Sequence, residues 1–164
     1  MSELNWSSDS TLAQALGRIP SGLYILTVRD GERATGMLAS WVQQAGFEPP
    51  MVTVAIGMQR YVGDWVAKAG RFTLNQLAEG SKPLIRHFGR GFEADAPAFE
   101  GLALSEVEGF GPIIKGAIAY LDVEVAGEIG GGDHRIFLGR VINGVYLDGE
   151  REPLVHVRHN GFHY

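Results

Sequence analysis

Glycine is the residue that most constrains how this chain folds. The chain has 23 glycines among its 164 residues, about twice the usual share of ~7%. They are dispersed without a G-X-Y period, which excludes a collagen-like chain and a low-complexity linker. Dispersed glycines are typical of turns, bulges and close backbone contacts between short strands. The pattern therefore predicts a protein built mainly from short β-strands.

Short apolar segments between the turn signals predict about seven or eight strands. They are expected at residues 22–28, 33–42, 51–56, 72–77, 118–127, 134–143, 145–147 and 153–157. Asp30-Gly31 and Asn143-Gly144 are expected to form turns between neighbouring strands. Many short strands separated by glycine turns favour a closed or half-closed antiparallel barrel. Alternating strands and helices between residues 51 and 88 keep an open α/β sheet as the alternative.

Short segments of helical character accompany these strands. A helix over residues 11–16 can be capped by Asp9 or Ser10, and one over residues 61–69 is expected to end at Gly70. A third is expected over residues 82–88, capped by Ser81. Residues 89–112 lose periodicity and are expected to form a long surface excursion. Because the sequence shows no internal repeat and no linker, residues 1–164 are predicted to form one domain.

Composition excludes several classes of protein. The chain has no cysteine, which excludes disulfides, thiolate catalysis and Cys-ligated metal centres. Its formal net charge of −5 is of the wrong sign for a nucleic-acid-binding surface. No apolar run approaches the ~20 residues that cross a bilayer, and the first residues lack the features of a signal peptide. We therefore expect a cytoplasmic protein without nucleic-acid or membrane partners.

The common catalytic and nucleotide motifs are absent. The sequence contains no P-loop, no complete G-x-G-x-x-G, no G-x-S-x-G and no H-E-x-x-H. His156, His159 and His163 have spacing that superficially suits a metal. Residues three apart on a strand point to opposite faces, however, and no carboxylate lies among them. No metal site is therefore predicted, and these histidines are expected at a surface or a dimer interface.

The segment Gly130-Gly-Gly-Asp-His134 carries the other notable histidine. Asp133 can orient His134 through a hydrogen bond to one ring nitrogen. The alternative is a flexible hairpin turn with a solvated histidine. A Ser40–His134–Asp133 triad is disfavoured, because adjacent Asp and His residues rarely reach triad geometry. From its residues alone, the chain predicts a small β-barrel without a stated function.

Seven segments in order resemble the flavin reductase-like, FMN-binding split-barrel family. The resemblance is greatest to the flavin reductase module of cyanobacterial diflavin flavoproteins. The matching segments are residues 16–27, 35–44, 47–56, 72–80, 87–89, 132–137 and 153–161. Together they span nearly the whole chain. The resemblance implies a Greek-key antiparallel split barrel with a few short flanking helices.

The resemblance also implies an FMN site. By position, the implied cofactor-binding residues are Met37, Leu38, Ala39, Ser40, Trp41, Val54, Ala55, Ile56, Arg60, Tyr61, Asn75, Gln76, Leu77, His87 and Phe88. Many family members have Ser or Thr where this chain has Tyr61. His134 matches the histidine of the family's G-D-H motif, beside the flavin face that receives nicotinamide. Gly36, Gly89 and the run 130–132 are expected where backbone approaches the cofactor closely.

The implied activity is an NAD(P)H-dependent flavin oxidoreductase in which nicotinamide passes a hydride to flavin N5. An FMN-binding electron-transfer module without efficient NAD(P)H oxidation is the alternative. A weaker third reading is a split barrel that holds another ligand, such as haem or a pyridoxal phosphate relative. The family is usually homodimeric, and a protein electron acceptor is a further implied partner. The choice between NADH and NADPH is not predicted.

Overall fold

The computed structural model describes residues 6–164. These residues form nine strands and three helices. In chain order they are α1 (Thr11–Gly17), β1 (Ser21–Gly22), β2 (Tyr24–Asp30), β3 (Arg33–Ala39), β4 (Val42–Phe47), β5 (Pro50–Gly57), α2 (Tyr61–Ala69), β6 (Arg71–Gln76), α3 (Lys82–Gly89), β7 (Ala119–Gly131), β8 (His134–Tyr146) and β9 (Val155–His156). The predicted mainly β class with short flanking helices is confirmed.

Seven of the strands form one antiparallel sheet in the order β3-β2-β6-β7-β8-β5-β4. Only Ser40 and Trp41 separate β3 from β4, the two outer strands of this sheet. The chain itself therefore bridges the opening between the two ends of the sheet, where the Ala55 amide donates to the Trp41 carbonyl at 3.0 Å. All neighbouring strands are antiparallel, so the alternative of an open α/β sheet is wrong.

Strand β2 is buried on both faces and divides the core into two clusters. Leu26 and Val28 point into one cluster, which includes the inward side chains of β5 and the apolar face of α2. Leu23 and Ile25 belong to the other, with Phe88 of α3. Period-two alternation along the strand explains this division, since successive side chains point to opposite faces.

The connection between α3 and β7 is anchored to the sheet through buried polar groups. Asn75, fully buried, donates to the Ile25 carbonyl at 3.2 Å and accepts from the Ile114 amide at 2.9 Å. The Thr27 hydroxyl donates to the Pro112 carbonyl at 2.8 Å. The prediction of a surface excursion over residues 89–112 is therefore wrong in part, because the connection covers one face of the sheet.

Two local predictions also require correction. Strand β8 continues through Asn143 and Gly144, which pair with Asp122 and Leu121, so no turn interrupts it. A register shift after Asp122 accommodates this long pairing. The predicted strand 33–42 ends at Ala39, and β4 follows as a separate edge strand. Most of β4 is exposed, so it lacks the apolar alternation that predicts a strand.

The helix boundaries are close to those predicted. Ser10 caps α1 by accepting from the Ala13 amide at 3.1 Å, and Gly70 ends α2 in the left-handed region at φ 65°. Ser81 precedes α3, but its hydroxyl accepts from the Ala78 amide at 3.2 Å instead of capping the helix.

Within residues 6–164, no helix is long and apolar enough to cross a membrane.

Candidate functional site

A cavity of about 560 Å³, here called the main cavity, opens where the β3–β4 crossing faces the end of β5 and the start of α3. Its apolar wall includes Met37, Leu38, Ala39, Ile85 and Leu154. Arg60, Lys82, His134 and His156 supply nitrogen-bearing side chains along its border. An apolar wall with a few polar groups is typical of a small-molecule site. This arrangement suits a flat apolar ring that carries an anionic tail.

His134 begins β8 and is held at the cavity border by two neighbours. Its Nδ1 lies 2.7 Å from Asp133 Oδ1, and its ring centroid lies 4.6 Å from that of Trp41. The predicted hydrogen bond between Asp133 and His134 is thus confirmed. It lowers the pKa of the Asp133 carboxyl below its ordinary value. Since Nδ1 faces Asp133, Nε2 is the ring nitrogen left for a ligand, beside Gly57.

The crossing between β3 and β4 carries a cluster of aromatic and polar groups. Ser40 Oγ lies 3.0 Å from the Tyr164 hydroxyl. The rings of Tyr164 and Trp41 are 5.7 Å apart between centroids. The Arg158 guanidinium lies over both rings, at 5.1 Å from Trp41 and 5.4 Å from Tyr164. Ser40 and Tyr164 line the main cavity, so this cluster forms one of its walls.

Arg60 stands at the start of α2, at the residue that precedes the first helical turn. Its side chain lies beside the backbone of Gly57, where an added Cβ would be 3.8 Å from Arg60 Cγ and 3.9 Å from His134 Nε2. Within residues 6–164, no carboxylate forms an ion pair with it. Arg60 and His134 therefore lie beside the same glycine. One ligand could contact both the Arg60 guanidinium and the His134 imidazole.

Seven of the residues predicted from the sequence line the main cavity. They are Met37, Leu38, Ala39, Ser40, Ala55, Arg60 and His134. They come from β3 and the β3–β4 crossing, from β5, from the residue before α2 and from the start of β8. Strand β5 pairs with β8, and the hydrogen bond from the Ala55 amide to the Trp41 carbonyl joins the crossing to β5. That these residues bind a cofactor stays a proposal.

The side chains of the other predicted residues lie outside the main cavity. Val54, Ile56, Leu77 and Phe88 are core residues with at most 1% exposure. Gln76 and the buried Asn75 pair with β2 and β7 inside the sheet. Val54 and Ile56 alternate with the cavity-lining Ala55 along β5, so the strand pleat turns their side chains away from the cavity.

Three further predicted residues have other contacts. His87 Nε2 lies 2.7 Å from the Ala98 carbonyl oxygen, and its ring packs against Phe88 and Phe92. Tyr61 lies in a neighbouring cleft, and Trp41 packs behind Ser40 against His134. That these three residues bind a cofactor stays a prediction.

The structure shows another role for the glycine at two of the three expected positions, and their approach to a cofactor stays a prediction. A Cβ at Gly36 would lie 3.0 Å from the Phe88 ring and 3.2 Å from the Leu26 carbonyl, so protein packing requires this glycine. Around Gly130–132 no atom lies within 4 Å of an added Cβ, and Gly132 has φ 63°, typical of a tight turn. Gly89 does line the main cavity.

Sequence reasoning missed one side of the main cavity. It is formed by Leu23, by Glu79, Gly80, Ser81, Lys82 and Ile85 around the start of α3, by Leu154, Val155 and His156 near β9, and by Tyr164. The pairing of β9 with β1 carries His156 to this wall, opposite Ser21. The only local sequence signal for this side of the cavity is Gly80-Ser81-Lys82 at the start of α3.

Within residues 6–164, no group of three or more His, Asp or Glu residues could hold a metal ion.

The strands form an antiparallel barrel with this cavity at the β3–β4 crossing. Residues 16–163 match the flavin reductase like domain family. The chain belongs to this family, which confirms the resemblance inferred from the sequence.

Relatives with curated sequences support this assignment. Diflavin flavoprotein A 1 of Synechocystis sp. is 41% identical over 159 residues, which cover 96% of this chain and 28% of that protein. The chain aligns with the flavin reductase portion of that relative. It therefore spans little more than a quarter of the relative's length.

Solved structures agree with the fold. The NADH:FAD oxidoreductase SgcE6 of Streptomyces globisporus C-1027 matches with a TM-score of 0.81 and 27% identity, covering 88% of this chain and 85% of that one. The same oxidoreductase in complex with NAD and FAD fragments matches with a TM-score of 0.78 over the same coverage and identity. The predicted split-barrel fold is confirmed.

Proposed function

We propose that the chain binds FMN in the main cavity and catalyses flavin reduction by NADH or NADPH. The observation that carries this proposal is that an apolar wall, the Arg60 guanidinium and the His134 imidazole meet at one cavity, with Nε2 of His134 unbonded within residues 6–164. The reaction would transfer a hydride from NAD(P)H to the flavin, with a proton taken from solvent. Bound flavin supplies the electron-accepting ring, and the protein supplies binding and orientation.

The residues present fit FMN in size and chemistry. The cavity volume of about 560 Å³ falls within the ~300–1,000 Å³ of small-molecule sites. Met37, Leu38 and Ala39 offer an apolar surface to a flat ring. The Ser40 hydroxyl can bond a polar ring atom, and Arg60 can bind the phosphate through charge-assisted hydrogen bonds. Neither group meets a carboxylate within residues 6–164, so an anion would not have to displace one.

His134 is proposed to orient nicotinamide at the open side of the ring. Asp133 fixes the imidazole through Nδ1, which leaves Nε2 to bind the carboxamide or a phosphate of the coenzyme. Its side chain is 22% exposed and that of Asp133 is 93% exposed, so the pair lies between cavity and solvent. The proposed role is positioning; no proton transfer is assigned to the imidazole.

The second candidate is an FMN-binding electron-transfer module without efficient NAD(P)H oxidation. The relation to a diflavin flavoprotein, of which the chain matches only one part, favours it. In that case a protein electron acceptor is the partner. A homodimer is also proposed, because β8 exposes the apolar side chains of Ile136, Leu138 and Ile142. A cytoplasmic location stays a prediction.

The test begins with a titration of the purified protein with FMN, followed by addition of NADH or NADPH without oxygen. Flavin that binds and then loses its absorbance supports the reductase. Bound flavin that keeps its absorbance supports the electron-transfer module. Failure to bind FMN overturns both candidates.

A variant of His134 tests the positioning role. His134→Ala should raise the KM for NAD(P)H about 5- to 20-fold, as expected for loss of one or two kcal/mol of binding, with FMN affinity unchanged. His159→Ala is the matched control, since His159 is exposed and lies outside the cavity lining. Unchanged NAD(P)H kinetics in His134→Ala would remove His134 from the proposed site.

A further inference from the structure

We propose that a second cleft, beside the main cavity, binds the adenosine-phosphate end of a dinucleotide, a role that rests on the proposed function. The cleft has a volume of about 400 Å³ and is lined by residues 36–37, 59–62 and 90–93. It is here called the arginine cleft. Met37 and Arg60 belong to both the cleft and the main cavity. A ligand whose ring occupies the main cavity can therefore continue past Arg60 into the arginine cleft.

Two unpaired guanidinium groups give the cleft its charge. Within residues 6–164, neither Arg60 nor Arg90 forms an ion pair or a side-chain hydrogen bond. Gly91 makes room for the Arg60 side chain, because a Cβ at Gly91 would collide with the Arg60 guanidinium. Gly91 has φ 77°, a conformation that glycine adopts without strain. Arg60 and Arg90 thus both line the cleft, and Gly91 leaves space for the Arg60 guanidinium.

The wall that carries Arg90 is fixed to the barrel. The Tyr61 hydroxyl lies 2.7 Å from Thr35 Oγ1 and donates to the Glu93 carbonyl oxygen at 3.2 Å. The Gly91 amide donates to the Phe88 carbonyl at 3.1 Å. These contacts tie the loop after α3 to β3 and to the start of α2. A preformed cleft loses less ordering entropy when a ligand binds.

The mixed chemistry of the lining points to an adenosine phosphate more than to a simple anion. Guanidinium groups bind phosphate through paired, charge-assisted hydrogen bonds. Glu93 would oppose a bare anion, but its carboxylate can accept hydrogen bonds from ribose hydroxyls. Phe92 adds an aromatic side chain to the same wall, beside which an adenine ring can lie. Two ligands carry this group into the site: a flavin dinucleotide and the nicotinamide coenzyme.

The test compares dinucleotides with mononucleotides in the variant Arg90→Ser. Binding of FAD and FMN is measured by flavin fluorescence, and kcat/KM is measured with NADH and with reduced nicotinamide mononucleotide. We expect FAD affinity or NADH efficiency to fall about 5- to 20-fold, the loss of one charged hydrogen bond, with both mononucleotides changing less than about twofold. The FAD arm and the NADH arm identify which dinucleotide uses the cleft. Arg86→Ser, which removes an exposed arginine of α3 outside the cleft, is the matched control.

Three outcomes overturn the inference. One is that neither dinucleotide loses affinity in Arg90→Ser or in the charge-reversed Arg90→Glu. Another is that mononucleotides and dinucleotides weaken equally, which would assign Arg90 to the ring-bearing half of the ligand. The third is that Arg86→Ser reproduces the effect, which would indicate general surface charge.

The proposed function is tested separately from the cleft. If the wild-type protein binds no FMN, the proposed function fails, and titration with ADP alone then tests the cleft. ADP binding that Arg90→Ser abolishes would support the arginine cleft without any flavin. If the wild-type protein binds neither FMN nor ADP, the proposed role of the arginine cleft is overturned as well.

Discussion

The hydroxyl groups of Ser40 and Tyr164, 124 positions apart in the chain, lie 3.0 Å from each other at the wall of the main cavity. Ser40 is buried, whereas Tyr164 is 78% exposed. Tyr164 is held by this hydrogen bond and by its contacts with Trp41 and Arg158. The Ser40 hydroxyl, which is proposed to bond a polar atom of the flavin ring, thus already has a partner in an exposed tyrosine.

Removal of the Tyr164 hydroxyl should therefore increase flavin affinity. Tyr164→Phe keeps the ring contacts but frees the Ser40 hydroxyl to bond a ligand. One neutral hydrogen bond corresponds to about a two- to fivefold change in Kd. Flavin fluorescence titration measures this change, with Tyr146→Phe, an exposed tyrosine at the end of β8, as control. A weaker flavin complex in Tyr164→Phe would mean that the tyrosine hydroxyl itself contacts the flavin.

Asp122 should be a major determinant of stability, because it joins three elements inside the protein. Its carboxylate is 4% exposed and accepts hydrogen bonds from Thr73 Oγ1 at 2.6 Å, the Phe110 amide at 3.0 Å and Asn143 Nδ2 at 3.3 Å. Asp122→Ala leaves the Thr73 hydroxyl and the Phe110 amide without this acceptor. We expect a loss of about 2–4 kcal/mol in the free energy of unfolding.

Urea unfolding measures the loss in Asp122→Ala. Asn143→Ala is the comparison, since the exposed Asn143 side chain contributes only one long hydrogen bond to Asp122. This variant should lower the free energy of unfolding by about 1 kcal/mol or less. Equal losses in the two variants would contradict the idea that the buried bonds to Thr73 and Phe110 carry the effect.

Two glycine-to-alanine substitutions should differ sharply in cost. Gly70 ends α2 at φ 65°, and an added Cβ there would meet open space. Gly70→Ala should therefore lower the free energy of unfolding by only about 1 kcal/mol, the strain of a left-handed alanine. A Cβ at Gly111 would collide with the Thr27 carbonyl and hydroxyl oxygens. Gly111→Ala must therefore move the α3–β7 connection off β2, and we expect a loss of more than ~3 kcal/mol. Chemical unfolding of both variants checks the difference, which would vanish if Gly111 mattered only for its backbone freedom.

The ion pair between Arg135 and Glu128 predicts a pH-dependent contribution to stability. Arg135 Nε donates to Glu128 Oε1 at 2.6 Å, and its Nη1 donates to Asp64 Oδ1 at 2.7 Å. The hydrogen bond from Arg135 lowers the pKa of Glu128 below its ordinary value. A lowered carboxyl pKa stabilises the fold above the ordinary glutamate pKa of about 4.3. The contribution is lost as the pH falls through the lower pKa of the folded state.

Arg135→Gln should therefore lower the melting temperature most at neutral pH, and the difference from wild type should narrow in acid below about pH 4.3. Thermal unfolding at a series of pH values measures it. The part that persists in acid reports lost packing of Arg135 over Phe137, at 5.1 Å from the ring. Arg140→Gln, on the same strand, is the control, since no ion pair involves Arg140 within residues 6–164. A difference that stays constant with pH would exclude the Glu128 pair as its source.

Local structure could be predicted where one segment carried the whole signal. The apolar alternation of β5 and the helical spacing of α2 with Gly70 at its end are confirmed, because each element buries one face that its own residues define. Strand β4 and the continuation of β8 through Gly144 could not be predicted this way. Both depend on pairing with a partner strand, which local patterns do not encode.

The sequence by itself determined the β class, the absence of cysteine chemistry and the family, since these depend on composition and on short segments in order. Only the tertiary structure decided which side chains meet at the main cavity. Lys82, His156 and Tyr164 reach it from α3, β9 and the segment beyond, while Asn75 and Phe88 turn into the core. The physical reason is that the cavity forms between elements joined by long-range pairing. Strand pleat and register, which only the assembled sheet defines, select the side chains that face it.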